Sequence, residues 1–150
     1  MKFNQRVVIP MAREPLWEFL MDVPKVARSL PGVETVTQID DTTYQGTLKV
    51  RVGPISLTLQ GKIIVEQRDR GIWRAVLSAE ASDRMAAGAV KGKTTMELKE
   101  VSSQETELLI DTDVNILGKI GEFGQPIIRK KADQMLREFV ENIKKQLAAK

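Results

Sequence analysis

The chain is 150 residues long, 42% hydrophobic and 29% charged, a composition that suits one globular domain, residues 1–150, with a core of its own. It contains no Cys and no His, which excludes disulfide frameworks, thiolate chemistry, hydrolase triads, zinc sites and imidazole-ligated haem. A formal charge of +3, with basic residues interleaved among 20 acidic ones, makes no dense basic patch, so no nucleic-acid partner is expected.

In the first strand Phe3, Gln5, Val7 and Ile9 alternate with Lys2, Asn4, Arg6 and Val8, and Pro10 closes it. A chain opening directly on a strand is expected to lack a leader, and no apolar run is long enough to span a bilayer. Both features are compatible with the cytoplasm. Arg13 to Met21 then sets Leu16, Trp17 and Leu20 on one helical face, with Pro15 early, where its missing N–H costs little. Asp22 is a good N-cap for a second short helix, Val23 to Ser29, which Leu30-Pro31-Gly32 ends.

From Val33 the period becomes two. Val33–Ile39 leads through Asp40-Asp41 to a strand with Tyr44, Gly46, Leu48, Val50 and Val52 on one side. After Gly53-Pro54, the residues Ile55, Leu57, Leu59, Gly61, Ile63 and Val65 face in. Trp73, Ala75, Leu77, Ala79 and Ala81 follow, then Gly88, Gly92, Thr94, Met96 and Leu98, then Leu108, Ile110, Thr112, Val114 and Ile116. Such clean alternation predicts an antiparallel sheet with one wet face and one dry face.

The last segment changes period again. Phe123, Ile127, Ile128, Met135, Leu136, Phe139, Val140, Ile143 and Leu147 recur at three and four, the stripe of a long amphipathic helix. One helix has too little surface to cover seven strands, so the sheet must curl around it, and incomplete closure leaves a cavity. Pro126 and the glycines at 118, 121 and 124 weaken the helix start. Either the regular helix begins near Gln125 or the helix is kinked there; an interrupted first turn is favoured. That stretch could act as a gate, or its glycines could merely let the last strand turn back.

The order of elements resembles the START-like, or helix-grip, superfamily: an α+β fold with two short helices after the first strand and a curved seven-stranded antiparallel sheet around a long C-terminal helix. Within it the chain is similar to the family of the carbon monoxide dehydrogenase G protein. The residues that carry this include Leu16-Trp17-Glu18-Phe19-Leu20 with Asp22, Leu30-Pro31-Gly32-Val33, Val52-Gly53-Pro54-Ile55, and Gly118-Lys119-Ile120-Gly121 with Phe123-Gly124. The resemblance implies a small accessory protein of a molybdenum hydroxylase that delivers a lipophilic acceptor such as a quinone, or aids membrane recruitment. Many relatives carry a further tail that meets a membrane; with the sequence ending at Lys150, transient contact at the inner membrane face is expected rather than stable anchoring.

For such a ligand the candidate cavity residues are Tyr44, Leu48, Val50, Leu59, Ile63, Trp73, Leu77, Met96, Ile110, Val114, Phe123, Ile127 and Met135, any of which could instead fill core. The inward Gly and Ala residues either leave volume or let the helix approach closely. For catalysis the candidates are Asp83, Arg84, Glu97, Asp111, Asp113 and Tyr44. Alternation puts Glu97, Asp111 and Asp113 outside, Asp83 and Arg84 read as an exposed loop pair, and two exposed carboxylates make a poor metal cage. No nucleophile, base and orienting group converge, so neither an enzyme nor a cofactor is expected. Arg129, Lys130, Lys131, Lys144 and Lys145 could meet an acidic partner or anionic headgroups, but Asp133, Glu138 and Glu141 lie within a turn or two.

Overall fold

The computed structural model describes residues 1–85 and 88–148. Its elements run β1 (Lys2–Ile9), α1 (Arg13–Met21), α2 (Val23–Ser29), β2 (Val33–Gln38), β3 (Thr43–Val52), β4 (Ile55–Asp69), β5 (Arg74–Asp83), β6 (Gly88–Ser102), β7 (Glu105–Gly118), a 3-10 turn (Lys119–Phe123) and α3 (Gln125–Ala148). All seven strands pair antiparallel in the order β1-β7-β6-β5-β4-β3-β2. Five consecutive hairpins join β2 through β7. The helices α1 and α2 carry the chain from one sheet edge, β1, to the other, β2. This is the helix-grip architecture that the alternation and the final stripe predict.

Local chemistry sets the punctuation. Asp22 caps α2, its carboxylate accepting from the Lys25 N–H at 3.2 Å, with Pro24 in the first turn. At the end of β7 the interrupted start is realised as a separate 3-10 turn, and α3 begins at Gln125 with Pro126 in its first turn. Gly118 (φ 83°, ψ −159°) and Gly124 (φ 81°, ψ 168°) flank that turn in backbone states essentially restricted to glycine.

Two clusters hold α3 and the turn to the dry face. The larger joins Phe139, Val140 and Ile143 of α3 to Ile9, Leu16, Trp17, Ala75, Leu98 and Leu108. The smaller joins Ile120 of the 3-10 turn to Val52 and Leu57, with Phe123 packed beside it. Further along α3, Asn142 donates to the Ser29 carbonyl at 2.9 Å and Gln146 to its hydroxyl at 2.7 Å, fastening the helix to α2.

Candidate functional site

The site lies between those two clusters. The register aligns Tyr44, Ile63, Ala79, Gly92 and Val114 in one row across β3 to β7, all on the face that α3 covers. The adjacent row holds Val65, Leu77, Thr94, Thr112 and, on β1, Phe3. Tyr44 and Val114 are buried, at 6% and 8% exposure, but Ile63 between them keeps 37%. Ala79, its neighbour, is exposed as well, and across from the sheet Ile127 of α3 keeps 42%. Apolar side chains that point at the covering helix and still meet water mark a hollow there. Fully packed interiors leave no such access.

The thirteen expected cavity residues divide by position. Trp73, Met96 and Ile110 pack against the larger cluster, and Val50, Leu59 and Phe123 against the smaller, so these form the two end walls. Tyr44, Leu48, Ile63, Leu77, Val114, Ile127 and Met135 belong to neither cluster and are distributed over the stretch between. Trp73 is pinned: its φ is 55°, Trp17 meets it edge-on at 5.9 Å, and the Arg13 guanidinium lies 4.3 Å from its ring centre. Phe123 sits over the β3–β4 turn, where a Cβ on Gly53 would come within 3.4 Å of its ring.

The inward small residues have a different role from either one expected. A Cβ on Gly61 would lie 2.0 Å from the Glu80 carbonyl oxygen and 2.6 Å from the Ala81 Cβ, both on the neighbouring strand. Glycine there lets adjacent backbones close up where the sheet bends, so it produces the curl and not the volume directly.

Two polar features line this face, and periodicity alone hides one of them. The Thr94 and Thr112 hydroxyls lie 3.2 Å apart. Gln5 Nε2 donates to Asp133 Oδ1 at 2.9 Å, turning toward the sheet a carboxylate that helical spacing assigns to the solvent side. The signal available in the sequence was Gln5 itself, a polar residue in the inward phase of β1.

The catalytic candidates do not converge. Asp111 and Asp113 are exposed on the outer face, and Glu97 is half-buried at 3.9 Å from Arg74. Asp83 departs from expectation: it is 7% exposed and not a surface loop residue. Its carboxylate accepts from the Thr58 N–H at 2.8 Å and the Met85 N–H at 3.0 Å, capping the end of β5, while Arg84 is exposed. Among the described residues no group of His, Cys, Asp and Glu is placed to hold a metal, and no helix is long and apolar enough to cross a membrane.

The outer face carries two open troughs of about 990 and 1060 Å³. They are lined by hydroxyl, amide and charged side chains, including the pairs Lys62–Glu80 at 3.5 Å and Lys93–Glu66 at 3.0 Å. The Ser78 hydroxyl, and then Lys93, hold Glu66 below its ordinary value of 4.5. This is a solvated sheet face without apolar lining enough for a lipid. The α3 cations Arg129, Lys130, Lys144 and Lys145 are exposed, Lys131 is half-buried, and Lys144 pairs with Glu141 at 3.3 Å.

A family model for the G protein of carbon monoxide dehydrogenase, CoxG, matches residues 6–148. No curated protein matches the chain. Among solved structures, a conserved protein from Geobacillus kaustophilus is 18% identical with a TM-score of 0.89, covering 99% of this chain and 96% of its own. A START superfamily protein from Mycobacterium smegmatis is 11% identical with a TM-score of 0.67, covering 99% and 97%. Norcoclaurine synthase from Thalictrum flavum, solved with dopamine and hydroxybenzaldehyde, is 13% identical with a TM-score of 0.67, covering 97% and 87%. At these identities the likeness shows the fold alone.

Proposed function

The chain belongs to the carbon monoxide dehydrogenase CoxG family, and from that premise we propose a non-catalytic accessory protein that carries a hydrophobic molecule, a quinone or other isoprenoid lipid, for a molybdenum hydroxylase. The observation that supports this best is the water-accessible apolar strip between the two core clusters, where Ile63, Ala79 and Ile127 face one another's elements without packing shut. Residues 1–150 act as one START-like domain in this proposal. Tyr44, Leu48, Ile63, Leu77, Val114, Ile127 and Met135 contact the ligand, and Val50, Leu59, Trp73, Met96, Ile110 and Phe123 bound it. The protein works in the cytoplasm and touches the inner membrane face only transiently. A cyclase- or dehydratase-like activity is disfavoured because the described inward ionisable groups are a phenol, a carboxylate held by Gln5 and a carboxylate held by backbone N–H groups.

Native mass spectrometry and lipid extraction of purified protein test the carrier role. An apolar compound that copurifies or binds supports it; a protein that neither retains nor takes up such a compound, with a solid interior, overturns it. Pull-down with the hydroxylase subunits separates carrier from assembly factor. A factor that docks and carries nothing binds the subunits without any lipid.

A further inference from the structure

The polar atoms on the covered face bear on the end group of the carried molecule, a step that rests on the carrier role proposed above. Thr94 of β6 and Thr112 of β7 stand opposite each other in register, both half-buried, on the face beneath α3. A hydroxyl pair satisfies itself only in part: one O–H is directed at the other oxygen, which leaves one donor and several lone pairs for something else. Their neighbours in the two central rows, Leu77, Ala79, Gly92, Val114 and Phe3, offer no polar side-chain atom. Polar handles set in an apolar wall are what fix the orientation of an apolar ligand.

The second element is electrostatic. The Gln5–Asp133 bond brings the α3 carboxylate to the β1 side of the same face, next to the β7 residues that pair with β1. None of the ion pairs among the described residues includes Asp133. A carboxylate without a cationic partner repels a second anion and accepts readily from a neutral O–H. We propose that the hollow selects a long apolar molecule ending in a neutral hydroxyl or carbonyl group, bound by Thr94 and Thr112, and that Asp133 turns away ligands ending in a carboxylate. Selectivity of this kind combines an attractive contact with a repulsive one.

Displacement of the neutral dye Nile red from the full chain at pH 8.5 tests this with three probes of one chain length class: oleyl alcohol, oleate and 1-octadecene. The expected result is displacement by oleyl alcohol at concentrations lower than oleate by about tenfold or more. Asp133→Asn, which keeps Oδ1 for Gln5, should strengthen oleate binding by about tenfold and leave the alcohol within about twofold. The near-isosteric double variant Thr94→Val/Thr112→Val should weaken the alcohol by about fivefold, toward the value for 1-octadecene, with little effect on oleate. Wild-type protein that binds oleate as well as the alcohol overturns the proposal while leaving the hollow intact, and so does discrimination that survives both variants unchanged. If Nile red and all three probes fail to bind, the carrier role itself falls.

Discussion

The stripe of α3 offers a direct test of the hollow, because two isoleucines on it differ so much in burial. Ile143 is 2% exposed within the larger cluster, whereas Ile127 is 42% exposed above the central rows. Truncating Ile143 to Ala removes about three buried carbons at about 0.8 kcal/mol each and leaves a cavity, for a cost of about 3–4 kcal/mol. The same change at Ile127 forfeits only a little over half of the transfer term and opens no new cavity, since water already reaches the site. The better helix propensity of Ala returns a few tenths, for a net cost of about 1 kcal/mol. Urea unfolding of both variants, with m unchanged, should therefore separate their midpoints by a stability difference of about 2–3 kcal/mol. In a thermal melt that difference corresponds to roughly 4–12 °C for a domain of this size. Equal losses would mean that the interior beneath Ile127 is packed as tightly as that beneath Ile143, which would refute the hollow.

Filling the hollow should separate function from folding: Ala79→Phe is expected to abolish Nile red binding while stability stays within about 1 kcal/mol, because the added ring enters space that water occupies. Gly124→Ala, at φ 81° and ψ 168°, should destabilise by about 1–3 kcal/mol, measured by urea unfolding, because a Cβ is strained there whatever the surroundings. Asp22→Ala removes the α2 cap and should cost about 1 kcal/mol by the same measurement. For Glu66 the sign is set by its depressed folded-state pKa: its contribution to stability is present above the ordinary 4.5 and is lost as pH falls through the lowered value. Ser78→Ala deletes the larger of the causes, so an NMR titration should show the Glu66 midpoint rising toward 4.5.

Much of the fold was legible because the two periods are physical requirements of the backbone. Side chains alternate along every strand, so Tyr44, Ile63, Leu77 and Val114 had to share a face, and the stripe ending in Phe139, Val140 and Ile143 had to lie on it. Capping by Asp22 and the glycine-marked break before Gln125 were readable for the same reason, since each answers a local demand of the chain. The inward phase also nominated the right face for a ligand. It could not divide that face into end walls and open floor, because Trp73 and Ile63 share a pattern and differ only in what lies above them.

Sequence by itself therefore determined the strands, the helices, their dry faces and the superfamily they resemble. Tertiary structure alone decided that Asp83 is buried as a strand cap, that Asp133 turns inward to Gln5, and that Gly61 serves the bend between β4 and β5. It also decided that the covering helix is held at two separated clusters with accessible apolar surface between them. The division has one cause: periodicity fixes the direction of a side chain relative to its own backbone. The distance to the element opposite depends on sheet curl and helix stand-off, which are set by contacts far apart in the chain.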